Sequence, residues 1–177
     1  GANFRATPLM VNGILYAPNG VGLVEAFDPA TGATRWVQEP FAPNELAGDS
    51  TRGVAYWSGG GDERILVQRG EYLYALNART GKTYPDFGEG GRVNLTAGLG
   101  PMMTRYYWTG APLVIRDVVI LGASMTDSPD NKEQPRGDVR AFDVRTGRLT
   151  WRFHVVPQAG EAGVETWEND SWKYSGQ

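Results

Sequence analysis

Thr109 and Ser124 stand fifteen residues apart, at the start and the end of TGAPLVIRDVVILGAS, a segment that reads as two strands joined at Arg116-Asp117. The two ends of a hairpin lie side by side, so both hydroxyls could face one acceptor there. Read alone, a Thr before Gly-Ala-Pro and a Ser after Gly-Ala are turn formers. Asp127, three residues beyond Ser124, reads alone as a solvated loop acid. Arg52 stands at a strand end, where an exposed side chain is the usual outcome. His154 is the only histidine, so an imidazole metal cluster is unavailable, and RFHVV reads as a strand with a packed or edge histidine. GGGDE (59 to 63) and GEGG (88 to 91) are glycine-rich, but neither leads into Lys-Ser/Thr or a helix, so both read as loops rather than phosphate cradles. Trp167 and Trp172 in TWENDSW either stack on a ligand or pin a long loop. Asn94-Leu95-Thr96 and Asn169-Asp170-Ser171 fit the glycosylation sequon, which is short enough to arise by chance.

The elements that must position these residues come from a repeat. VEAFDPATGATRW (24 to 36) returns as VRAFDVRTGRLTW (139 to 151), and LYALNARTGKTYPDFG keeps the spacing of Ala75, Asn77 and Gly81 with Pro85 where Trp is expected. The copies begin 49 and then 66 residues apart, the size of a propeller blade with variable insertions. Each copy reads as a hairpin. Asp28 accepts turn amides, Gly32 supplies positive φ, and the Trp is a packing knob between neighbouring sheets, with a small Ala opposite to leave room. TPLMVNGILYAP reads as a further strand pair turning at Asn12-Gly13, and GVAYWSGGGDERILVQRGEYLYAL as a strand, a glycine loop and two more strands. The count is two complete blades and parts of others, about three four-stranded antiparallel blades in all, with no helical periodicity and a long loop from Pro157 onward. The fold class is all-β, a partial β-propeller. A ring needs at least ~4 blades to close, so residues 1 to 177 read as part of a single propeller domain whose remaining blades come from a longer or a second chain.

Bulk composition narrows the function. The chain has 177 residues, 41% of them apolar, which suits one domain with a real core. With 17 Lys plus Arg against 20 Asp plus Glu and neither sign in blocks, nothing points to nucleic acid or an anionic membrane surface. The absence of cysteine excludes disulfides and thiolate metal sites and leaves the redox compartment open. No apolar run approaches the ~20 residues that span a bilayer, and GANFRATP lacks a signal peptide's charged start and apolar stretch, so either the chain is cytoplasmic or its targeting segment lies outside these residues. Twenty-four Gly and 11 Pro with 11% aromatic residues favour an all-β chain rich in turns.

Along nearly its whole length the sequence resembles the early blades of the pyrroloquinoline quinone (PQQ)-dependent dehydrogenases, eight-bladed propellers built on a tryptophan-docking repeat A-x-D-x-x-x-G-x-x-x-W. The copies at 26 to 36 and 141 to 151 match that repeat at every specified position. STRGVAYW (50 to 57) looks like the family's R-G-x-A-Y-W segment, TGAPLVIRDVVILGAS like its strand pair in the next blade, and ETWENDSWKYSG (165 to 176) like the loop after the third repeat. TGKTYPDFGEGGRVNL is similar to the glucose and polyol branch. The methanol and simple-alcohol branch has adjacent cysteines around the positions where this chain carries Leu46 and Ala47, a departure that argues against that branch.

The resemblance implies a periplasmic enzyme that oxidises a sugar, polyol or other alcohol by hydride transfer to PQQ and passes electrons to a quinone or cytochrome. It assigns Arg52 to a PQQ carboxylate, which a planar, permanently charged fork suits, and Thr109 and Ser124 to cofactor contacts. It assigns Asp127 to Ca²⁺, which would polarise the quinone carbonyl. A cofactor-contacting glutamate of the methanol branch falls near Arg5, where the charge is reversed, so that contact does not carry over. The catalytic aspartate belongs to a later blade and the Trp that floors the cofactor falls just past Gln177, so no residue here is assigned as the base. The other reading is a non-catalytic scaffold propeller that uses the same repeat for protein contacts.

Overall fold

The computed structural model describes residues 5–41, 52–99, 106–107, 110–125 and 133–175. Three four-stranded antiparallel sheets follow one another as blades. The first comprises β1 (Leu9–Val11), β2 (Ile14–Pro18), β3 (Val24–Phe27) and β4 (Thr34–Val37). The second comprises β5 (Ala55–Gly59), β6 (Asp62–Arg69), β7 (Tyr72–Asn77) and β8 (Arg92–Asn94). A two-residue strand β9 (Tyr106–Tyr107) precedes the third blade, formed by β10 (Leu113–Ile115), β11 (Val118–Leu121), β13 (Val139–Asp143) and β14 (Leu149–Phe153), while β12 (Ser124–Met125) pairs with β9. The three four-stranded antiparallel blades expected from the sequence are thus present, and the strand that the sequence did not mark is the fourth of the middle blade. Its fourth strand is only Arg-Val-Asn, too short to alternate visibly, and it reaches Tyr72–Tyr74 after the insertion that follows Tyr84.

Alternation along the strands loads both faces of the middle blade, so that successive β6 residues serve different cores. Ile65 and Val67 join Tyr16, Val24, Ala26, Tyr74 and Leu76 between the first and second blades. Leu66 joins Trp57, Leu73, Phe87, Val119 and Phe142 between the second and third. The cores lie between blades, so each blade's order depends on its neighbour.

The docking turns obey local rules. Gly32, Gly81 and Gly147 have φ of 73°, 72° and 72°, a region open to glycine at no steric cost. Asp28 Oδ1 accepts the amides of Ala30 (3.0 Å) and Thr31 (3.2 Å), Asn77 Oδ1 those of Arg79 and Thr80, and Asp143 Oδ1 those of Arg145 and Thr146. The Arg35 guanidinium, with these amides, holds Asp28 below the usual carboxylate range. Burial pushes Asp143 upward, but the Thr146 amide and hydroxyl and the Arg145 amide outweigh it and hold it low. A native carboxyl pKa below the ordinary 3.8 contributes stability above that value and loses it as pH falls through the native one. Because Asn77 caps its turn as an amide, the double variant Asp28→Asn/Asp143→Asn is expected to keep the turns. Its urea midpoint should drop less than that of the parent between neutral pH and about pH 3; an equal drop in both proteins would show that these caps carry no pH dependence.

The Trp knob is seated where a following blade receives it. The Trp36 indole N–H donates to the Ala78 carbonyl (3.1 Å), and its ring lies over Gly81 and tilts against Tyr16 at 5.9 Å. In the register, Trp36 faces Ala26, the small residue anticipated opposite it. Between the second and third blades, where the middle repeat has Pro85, other groups take over. Arg64 donates to the carbonyls of Val144 (3.3 Å) and Arg145 (2.8 Å), Val144 being the counterpart of Ala78. The Gly88 amide donates to Thr146 O (2.9 Å), and Val93 fills the space over Gly147. Arg64 stacks on Tyr84 at 3.8 Å, while burial and the Asp62 carboxylate that accepts its O–H push the Tyr84 phenol up to about 12. Trp151, the knob of the third repeat, is 42% exposed.

Candidate cofactor-binding site

The innermost strands β1, β5 and β10 begin beside one another. Aligned on their starts, Ala6-Thr7, Arg52-Gly53 and Gly110-Ala111 occupy equivalent places. Thr7 and Gly53 form a parallel bridge, and the Thr7 amide donates to the Arg52 carbonyl at 2.8 Å. Gly53 is buried, and a Cβ placed on it would lie 3.2 Å from the Ala111 Cβ. Arg52 is exposed at this junction. Ala6 and Gly110 have no polar side chain, so among these three places only position 52 presents a charge.

Ser124 is brought to the same end. β11 runs antiparallel to β10, so its C-terminal end returns to where β10 begins, and Ser124 then pairs with Tyr107 in the β9–β12 ribbon that continues the hairpin. Thr109 and Asp127 lie outside the described residues. The turns at Asn12-Gly13, Gly60-Gly61 and Arg116-Asp117 lie at the opposite end, with the docking turns. Ion pairs between Arg79 and Glu63 (2.6 Å) and between Arg145 and Asp117 (3.1 Å) tie the two sets of turns together within their blades. One end of the strands is thus occupied by structural turns and the other by the candidate residues.

The segment after β14 covers part of the candidate end. Two 3-10 turns, Val164–Thr166 and Glu168–Lys173, break it up, and Asn169 and Asp170 hold left-handed φ of 54° and 57°. Trp167 and Trp172 are half-buried and line a shallow depression with Val164, Glu165 and Asn169. His154 acts as an edge residue that pins this segment. Its Nδ1 lies 2.8 Å from Glu161 Oε1, and its Nε2 lies 3.9 Å from the buried Asp138 carboxylate, which Arg152 Nε approaches at 3.5 Å. The Gln134 amide donates to Tyr174 O, closing a cavity lined by Leu99, Glu133, Arg136, Lys173 and Tyr174. Among the described residues no group of three or more His, Cys, Asp or Glu could hold a metal ion.

Sequence reasoning singled out Arg52 and the strand pair that precedes Ser124, but passed over Thr7, Gly53 and Ala111 as the residues that meet at this junction. Their only signal is smallness just before each inner strand, which has meaning only once three blades are seen to meet.

Comparison with known proteins follows the same lines. The family described as PQQ: glucose/ethanol/alcohol dehydrogenase, beta-propeller domain, matches residues 1–177. The dehydrogenase subunit of the quinone-type alcohol dehydrogenase of Gluconobacter oxydans is 33% identical over 97% of this chain, which spans 24% of that protein. Quinoprotein glucose dehydrogenase A of Acinetobacter calcoaceticus is 29% identical over 84% of the chain and is spanned to 21%. The crystal structure of quinohemoprotein alcohol dehydrogenase from Comamonas testosteroni superposes with a TM-score of 0.63 at 30% identity, covering 87% of this chain and 21% of the other. The chain therefore spans about a quarter or less of the length of these relatives.

Proposed function

The chain belongs to the PQQ glucose/ethanol/alcohol dehydrogenase β-propeller family, and from that premise we propose that it serves, within a longer protein, as one side of the cofactor shell of a quinoprotein dehydrogenase that oxidises an alcohol, polyol or sugar. The observation that carries this reading is the exposed guanidinium of Arg52 at the meeting point of three inner strands, flanked at the equivalent places by Ala6 and Gly110. PQQ carries three carboxylates, and a planar fork that never loses its charge is suited to one of them. An exposed guanidinium whose backbone is held at the junction by the Thr7 amide is a donor set that fits an anionic rim.

Arg52 would hold and orient the cofactor through a carboxylate. The hydroxyls of Thr109 and Ser124, which flank the same hairpin, would donate to its polar edge. Asp127 would offer carboxylate oxygen to Ca²⁺, a hard cation that takes such ligands. When bound, PQQ supplies an electrophilic quinone carbon that accepts hydride. This stretch of chain positions the cofactor; the proton of the alcohol is taken by a group elsewhere in the protein.

Reconstitution of the longer protein with PQQ and Ca²⁺, followed by dye-linked oxidation of ethanol, glycerol and glucose, tests the reading. A PQQ-dependent absorbance band with turnover on at least one substrate is expected. Neither band nor turnover would leave the scaffold propeller as the better account.

A further inference from the structure

We propose that Gly53 is a positioning residue for Arg52, a Cβ-free spacer that sets the distance between the rim arginine and the strand start of the next blade; this rests on the reading of Arg52 as a PQQ-carboxylate partner. Unlike the docking-turn glycines, Gly53 is not among the glycines with positive φ, so torsion does not explain a glycine there. Space does. An added Cβ would lie 3.2 Å from the Ala111 Cβ, 3.4 Å from the Thr7 carbonyl oxygen and 3.9 Å from the Thr7 Cβ. The 3.2 Å approach is tighter than ordinary van der Waals contact, so the strand starts would have to part by a few tenths of an ångström.

Arg52 has little freedom to absorb such a shift. Its carbonyl is held from the preceding blade by the Thr7 amide at 2.8 Å, and its neighbour Gly53 is pressed against the following blade at Ala111. Thr109, the candidate hydroxyl, lies two residues before Ala111 in the chain. A Cβ at position 53 thus moves the Arg52 backbone relative to the following blade at Ala111; a 1 Å misplacement of a binding group can cost about 100-fold, so a few tenths of an ångström is expected to cost several-fold to about tenfold.

The test is PQQ titration of the longer protein carrying Gly53→Ala, Ala111→Gly, both together, Arg52→Ala, and Arg52→Ala with Gly53→Ala. Gly53→Ala is expected to weaken PQQ binding roughly tenfold. Ala111→Gly, which removes the atom at 3.2 Å, should restore affinity to within about twofold when combined with it. In the Arg52→Ala background, Gly53→Ala should add no further loss, because its effect passes through the arginine. A merely structural role would instead give a full, additive loss in both backgrounds, and that result overturns the inference. So does unchanged affinity in Gly53→Ala while Arg52→Ala binds weakly. If Arg52→Ala itself binds PQQ normally, the reading of Arg52 fails, and the inference fails with it through a different arm of the experiment.

Discussion

Replacing Arg52 by alanine in the longer protein is expected to weaken PQQ binding by about 2–3 kcal/mol, roughly 30- to 150-fold in Kd. The magnitude follows from the chemistry of the pair. A hydrogen bond to a charged partner contributes more than a neutral one, and truncation also leaves a ligand carboxylate without its counter-ion as it leaves water. Arg52→Lys should recover only part of the loss, because an ammonium is a point charge that cannot meet a carboxylate with two parallel donors. Position 52 has no substitute among its structural equivalents, since Ala6 and Gly110 carry no donor side chain. Titration of apo protein with PQQ, followed by absorbance, reads the result. Affinity within twofold of the parent would remove Arg52 from the site.

A second large effect separates two glycines that the sequence makes look equivalent. Gly32 and Gly81 hold the same repeat position and nearly the same φ, 73° and 72°. Alanine at either costs about 1–2 kcal/mol for the left-handed backbone. Their surroundings differ. A Cβ on Gly32 meets nothing within 4 Å, whereas one on Gly81 would lie 2.4 Å from Cε3 of Trp36 and 2.8 Å from its Cδ2. The indole cannot slide freely aside, because its N–H is tied to Ala78 O and its ring leans on Tyr16. Overpacking of this kind adds about 1–3 kcal/mol, so Gly81→Ala is expected to cost about 2–5 kcal/mol in urea denaturation, and Gly32→Ala only the backbone share. In a Trp36→Ala background the two substitutions should become nearly equal. Equal costs in the parent protein would mean that Trp36 does not rest on Gly81 in solution.

The docking turns were legible in the sequence because everything that shapes them lies within the turn. Asp28, Asn77 and Asp143 cap amides two and three residues ahead, and a glycine completes the chain reversal. The strand β8 was not legible, since Arg92–Asn94 has neither length nor alternation and is a strand only because Tyr72–Tyr74 offers it a ladder. Nor was the stand-in for the missing Trp at Pro85. Nothing in the sequence marks Arg64 for that place, yet its side chain is 6% exposed and donates to the blade beyond.

The candidate site divides in the same way. The motif around Arg52 and the strand pair ending at Ser124 mark residues with suitable chemistry, and family membership follows from the whole chain. That Arg52 and Ser124 share one end of the strands, away from the repeats that make the family recognisable, depends on three blades packing in order. Gly32 and Gly81 show the reason most plainly. They occupy the same place in the same phrase, but a Cβ on the first would meet nothing within 4 Å, whereas one on the second would meet the Trp36 ring. Local sequence determined the torsions and turn hydrogen bonds, which act between near neighbours along the chain. Only the tertiary structure decided which glycine receives the Trp36 knob and which gives room beside Arg52, because those contacts join residues that the chain itself keeps far apart.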